Sequence, residues 1–208
     1  MITIVDYGVG NIGALLNMFE YLGFNAGASS DAREIAHARK LLLPGVGAFD
    51  KAMTTLRDRG LRSALDDAVL AAGTPILGVC LGMQLLARRS DEGTETGLGW
   101  IPAEVRRIEV PQTSGLKIPH IGWEQVQATG NGELFTKVPT AERFYFVHGY
   151  HMVCDSPRDV AATIDYGSSL ACAVQRGKIY GVQFHPEKSH RFGMRLLSAF
   201  ARLPANSK

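Results

Sequence analysis

Cys80 sits in the run Gly78-Val79-Cys80-Leu81-Gly82, a glycine-x-nucleophile-x-glycine arrangement with cysteine at its centre. Glycines flanking a nucleophile at this spacing allow a sharp turn from a strand into a helix, which lifts the side chain to the end of the sheet. A sulfur at the first turn of a helix is favoured as thiolate, and the N–H of Leu81 points where an oxyanion develops. The alternative for Cys80 is a buried packing cysteine, a common fate for a free thiol. A thiolate nucleophile needs a base, and Val182-Gln183-Phe184-His185-Pro186-Glu187 supplies a candidate. Pro186 ends the strand at His185. In an extended segment His185 and Glu187 face the same way, so Glu187 can orient the imidazole while its other nitrogen faces Cys80. Taken alone, His-Pro-Glu reads as an ordinary strand end; beside a cysteine elbow it reads as the rest of a triad.

These residues need a scaffold. Ile2 to Asp6, Lys40 to Leu43 and Pro75 to Val79 are short apolar strands. Between them lie helical stripes at Ile12, Leu15, Leu16, Phe19 and Leu22 and at Leu61, Ala64, Leu65, Ala68, Val69 and Ala72, and Leu81 to Arg88 follows as a helix. Near-continuous apolar strands alternating with helices predict a parallel sheet covered on both faces. In the second half, strands over 100–110, 118–126, 143–153, 160–164, 170–174 and 178–184 come close together, as antiparallel additions. A C-terminal helix over 189–203 closes the chain. The expectation is a single α/β domain spanning 1–208, with a central mixed sheet flanked by helices.

Composition sets outer bounds. The chain has 208 residues, 46% of them hydrophobic and 20% charged, enough for a sizeable core without disulfide or metal staples. A net charge of +2 carries no electrostatic footprint for nucleic acid. No apolar stretch approaches the ~20 residues that span a bilayer, and the early Asp6 argues against a signal peptide, so the expected location is cytoplasmic. Three cysteines, Cys80, Cys154 and Cys172, do not make a disulfide framework. His148, His151 and Cys154 have a superficially metal-like spacing, but along a strand they do not share one face, and no metal is expected. Gly8, Gly10 and Gly13 form a weak dinucleotide-loop pattern with no acidic residue closing a second strand, so no cofactor is expected.

Together with Asp6-Tyr7-Gly8-Val9-Gly10-Asn11, Leu43-Pro44-Gly45-Val46-Gly47-Ala48-Phe49, Pro119-His120-Ile121-Gly122-Trp123, Phe144-Tyr145-Phe146-Val147-His148 and Gly181 to Ser189, the elbow resembles the class I, triad-type glutamine amidotransferases over essentially the whole chain. More closely, it is similar to glutaminase subunits of imidazole glycerol phosphate synthases. The resemblance implies a flavodoxin-like class I amidotransferase fold and a Cys80, His185 and Glu187 triad that hydrolyses L-glutamine through a thioester. It implies an oxyanion site from Val46 and Leu81, with Gly45, Gly47, Gln84, Glu92, His148 and Gly149 about the substrate. Gln84 lies one helical turn beyond Cys80 on the same side. The resemblance also implies a heterodimer with a barrel-type cyclase subunit, an interface near Asn11, Trp123 and Lys188, and ammonia passed directly to the partner. Relatives commonly have Ser where this chain has Gly149 and Asn where it has Glu124. The segment Lys188 to Met194 is similar to that of a paralogous group feeding sugar amidotransferases in surface-polysaccharide synthesis. A cysteine peptidase and a catalytically silent partner module are the other readings, and the intact triad set argues against the second.

Overall fold

The computed structural model describes residues 1–136 and 142–205. Twelve strands run in chain order: β1 (Ile2–Val5), β2 (Ala26–Ser29), β3 (Leu41–Leu43), β4 (Ile76–Val79), β5 (Ala103–Arg107), β6 (His120–Gln125), β7 (Gln127–Ala128), β8 (Arg143–His148), β9 (Tyr150–Cys154), β10 (Val160–Asp165), β11 (Ser169–Arg176) and β12 (Ile179–Val182). The helices are α1 (Ile12–Tyr21), α2 (Ala32–Ala36), α3 (Phe49–Asp58), α4 (Leu61–Asp66), α5 (Leu81–Gln84) and α6 (His190–Arg202). The main sheet runs β2-β1-β3-β4-β12-β11-β10-β7, with β9 joined to β11 and β5 joined to β9. From β2 to β12 the pairing is parallel, and beyond β12 it is antiparallel. This is the expected mixed α/β sheet.

The apolar strands are explained by burial on both faces. In β3, Leu41 and Leu43 pack with Ile35, Phe49, Leu56 and Leu65 beneath α2, α3 and α4. Leu42, pointing the other way, packs with Leu15, Phe19, Leu197 and Phe200 beneath α1 and α6. All three leucines are fully buried. Single substitutions to a polar residue here would therefore disrupt one core or the other.

Two local expectations change. The segment 143–153 is two strands: β8 leaves the main sheet to form a separate ribbon with β6, while β9 stays in it. Gly149 is the joint, so the chain changes sheets beside the site. The α-helix after Cys80 stops at Gln84 instead of continuing to Arg88. Residues 85–87 tighten into turns with Leu86 N to Met83 O and Ala87 N to Gln84 O, and Arg88 N donates to Ala103 O at 3.0 Å. The chain leaves the helix there because it is drawn onto the sheet edge.

Candidate active site

Open α/β sheets place ligands at the carboxyl ends of their parallel strands, and the predicted residues converge there. Register pairs Val79 of β4 with Val182 of β12, and Cys80 N donates to Val182 O at 2.8 Å, so the elbow is tied to the strand that leads to His185. Cys80 has φ 55° and ψ −114°, a conformation that costs a non-glycine residue ~1–3 kcal/mol. Its neighbours make that turn possible. A Cβ on Gly78 would meet Gly82 O at 2.6 Å, and one on Gly82 would drive into Leu43 O. The Leu81 amide, at the first position of α5, has no acceptor within the helix.

His185 is nearly buried and sits at the entrance of a 3₁₀ turn, Pro186–Lys188. The segment is thus not extended, as the sequence suggested, but the turn still brings Glu187 Oε1 to 2.9 Å from His185 Nδ1. Burial disfavours the imidazolium. Hydrogen bonds and charge from Cys80 and Glu187 outweigh that cost and raise the His185 pKa to about 9. Cys80, His185 and Glu187 therefore form a connected chain of side chains. Ser189 holds the histidine in place: its hydroxyl donates to His185 O at 2.6 Å and accepts from Tyr145 N at 3.0 Å, while His185 N donates to Tyr145 O at 2.9 Å.

Beside these side chains lies a cavity of about 540 Å³, walled among others by Val46, Gly47, Gln84, Glu92, His148 and Gly149. Gly45 lies behind this wall. A Cβ there would meet Gly82 N at 2.7 Å and Leu81 Cβ at 2.8 Å, so it lets the loop press against the elbow. Tyr7 holds the same loop, donating its hydroxyl to Pro44 O at 2.7 Å. Gln84 Nε2 donates to Gln183 Oε1 at 2.9 Å and to Tyr150 O at 3.3 Å. Gln183 Nε2 in turn approaches Cys80 Sγ at 3.9 Å. Glu92 Oε2 accepts from Phe49 N at 2.9 Å, the start of α3, and the loop carrying it is held by Asp50, whose carboxylate accepts from Thr94 N and Glu95 N. Those two amides hold the Asp50 carboxyl below its usual pKa.

His148 Nδ1 donates to Tyr150 O at 2.8 Å, which leaves Nε2 as acceptor for His120 Nδ1 at 3.1 Å. His120 Nε2 is then left without a hydrogen bond, 3.6 Å from Glu124 Oε1. Burial lowers the pKa of His148 to about 3 and of His120 to about 4.

Of the remaining expected residues, Lys188 lines the cavity, with its ammonium 5.8 Å from the Tyr145 ring centroid. Asn11 and Trp123 lie outside the cavity wall. Asn11 caps α1, its Oδ1 accepting from Ala14 N at 3.4 Å, and Trp123 stacks on His190 at 5.5 Å. Asp50, Arg107, Gln183, Ser189 and the His120 contact were not singled out from sequence. Gln183 and Ser189 stood inside the motif runs; Asp50 and Arg107 carried no local signal. Among the described residues no helix is long and apolar enough to cross a membrane.

The arrangement can activate a thiol, stabilise an oxyanion and hold a small polar substrate. The glutamine amidotransferase class-I family model matches residues 3–202. Over 98% of this chain and 100% of the relative, the sequence is 46% identical to imidazole glycerol phosphate synthase subunit HisH 2 of Pseudomonas aeruginosa. It is 44% identical, over 98% of this chain and 100% of the relative, to subunit HisH of Leptospira interrogans. A solved glutamine amidotransferase superposes with a TM-score of 0.73 at 21% identity, covering 98% of this chain and 99% of that one. A chain of the PurLQS assembly from Thermotoga maritima gives 0.73 at 18%, covering 96% of each. The two solved structures share the fold, and the full-length match to the family model and to the closer relatives shows that this chain belongs to the class I glutamine amidotransferases.

Proposed function

We infer that the protein is the glutaminase subunit of an imidazole glycerol phosphate synthase. The observation that carries the chemistry is the buried contact chain from Cys80 through His185 to Glu187, opening into a cavity that suits a free amino acid. Cys80 Sγ attacks the side-chain amide carbon of L-glutamine, and the developing oxyanion is met by the Leu81 amide and by the Val46 amide from the facing loop. His185 donates its proton to the departing nitrogen, releasing ammonia and leaving a γ-glutamyl thioester. The neutral imidazole then takes a proton from water, hydroxide adds to the thioester carbon, and glutamate leaves as the thiol is restored. Glu187 keeps Nδ1–H pointed at itself, so Nε2 is the nitrogen that exchanges protons.

The names of the close relatives support a synthase complex in which a second subunit consumes the ammonia. The acceptor chemistry is assigned to a cyclase of barrel type, bound as a heterodimer near Asn11, Trp123 and Lys188, that yields imidazole glycerol phosphate and AICAR. Direct transfer matters because ammonia is protonated once it meets bulk water. Reconstitution tests both halves. Cys80→Ala should abolish glutamine-dependent product formation by the complex while leaving formation from added ammonium salt intact. Unchanged glutamine use would refute the nucleophile. Complex formation with a sugar amidotransferase in place of the cyclase would move the protein to surface-polysaccharide synthesis.

A further inference from the structure

A free amino-acid amide brings one positive and one negative charge into the cavity at its α-carbon, besides the neutral amide that must reach Cys80. The wall offers Glu92 for the ammonium. For the carboxylate it offers four basic groups, His148, His185, Lys188 and Arg107. His148 has both ring nitrogens engaged, by Tyr150 O and His120 Nδ1. His185 is committed to Cys80 and Glu187 and carries the reacting proton. Lys188 lies three residues beyond it, with its ammonium over Tyr145. Arg107 alone is uncommitted. It ends β5 opposite Tyr150, and the next residue, Ile108, donates its N–H to Gly149 O at 2.9 Å, so it is fastened to the His148–Tyr150 segment of the wall. The preceding Arg106 is engaged by Glu104 at 2.9 Å. The Arg107 guanidinium has no side-chain hydrogen bond or ion pair among the described residues. It also borders an adjoining cleft with Asp91 and Glu109, and neither carboxylate lies within ion-pair distance of it.

We propose that Arg107 recognises the α-carboxylate of the substrate, with the planar guanidinium fork matching both carboxylate oxygens. Resting on the glutaminase reading, this makes Arg107 a specificity residue: together with Glu92 it selects an α-amino acid over simpler amides. Gly149, in the same wall, has no side-chain donor to offer the carboxylate.

The test uses the protein in its complex, following hydrolysis of L-glutamine, of 4-aminobutanamide (which lacks the α-carboxylate) and of glutaramate (which lacks the α-amino group). The two analogues are read as substrates or as competitors of glutamine. Arg107→Ala should raise KM for glutamine at least about tenfold with kcat within about threefold, the signature of lost ground-state binding. Glutaramate should weaken in parallel, 4-aminobutanamide should be unaffected, and Arg107→Lys should recover part of the loss. An unchanged KM for glutamine, or equal losses with 4-aminobutanamide, would overturn the assignment. A wild-type complex that fails to hydrolyse glutamine would instead bring down the underlying glutaminase reading, and this proposal with it.

Discussion

Glu187→Gln separates orientation from charge at the heart of the site. Gln has the shape of Glu, and its Oε1 can still accept from His185 Nδ1 at the native 2.9 Å. What disappears is the negative charge beside an imidazole that must carry a proton. A charge-assisted hydrogen bond is worth ~1.5–3 kcal/mol and a neutral one ~0.5–1.5, so the difference alone is ~1–2 kcal/mol. Coulomb attraction between charges about 3 Å apart adds more, because the Glu187 side chain is only 3% exposed and screening by water is weak. The expected loss in kcat is therefore ~10- to 10³-fold. Packing should suffer little, so the stability lost is that of the charge. Glu187 Oε2 already lacks a hydrogen-bond partner, and an amide group there is no worse placed. The pH profile supplies a second reading. Glu187 helps hold the His185 pKa at about 9, so its charge removed, the alkaline limb of glutamine hydrolysis should move to lower pH. By linkage, the raised pKa stabilises the native protein fully below about 6.5, and that stabilisation fades as pH rises through about 9. The variant should lose less over that window. Glutamate release across pH 6–10 and thermal melts across the same range measure both effects. Activity within twofold of wild type, with the alkaline limb unmoved, would refute the triad role of Glu187.

Gly82→Ala should destabilise by at least ~2 kcal/mol, because its Cβ meets the Leu43 carbonyl in the packed elbow. Gly47→Ala has open space and only φ +99° to oppose it, so about 1 kcal/mol is expected; chemical denaturation ranks the two. Asp50→Ala frees the amides of Thr94 and Glu95 and so the loop bearing Glu92. KM for glutamine should rise ~3- to 30-fold with kcat nearly preserved in steady-state kinetics. The depressed pKa values of His120 and His148 make their neutral forms a source of stability present above about 6.5 and lost as pH falls toward about 4 and about 3. His120→Phe, stacked between Phe146 and Tyr166, should flatten that acid decline in melting temperature.

Legibility in the sequence follows the range of the interaction concerned. The elbow is readable because its requirement is local: Gly78 and Gly82 lie within four residues of each other, and the side chains they exclude would strike atoms of the same turn or of the strand beside it. The strands of the sheet are readable where both faces are buried, as at Leu41–Leu43. They fade where they are not, as in β2, whose Ala-Gly-Ala-Ser run has no apolar signature and forms the sheet's edge. His185 and Glu187 meet as expected for a different reason: a 3₁₀ turn, and not an extended strand, brings them together, so adjacency in sequence is preserved through more than one backbone geometry. Ser189, Asp50 and Arg107 each act across 43 or more residues, on Tyr145, on the Glu92 loop and against Tyr150. No spacing rule reaches that far. Their selection rests on strand pairing and on which polar groups the fold leaves without partners. In this protein the groups to which we assign the chemistry are therefore announced by short motifs. Those that position them, and the one that we assign to choosing the substrate, emerge only when the β5–β9 and β6–β8 pairings bring distant segments to one cavity.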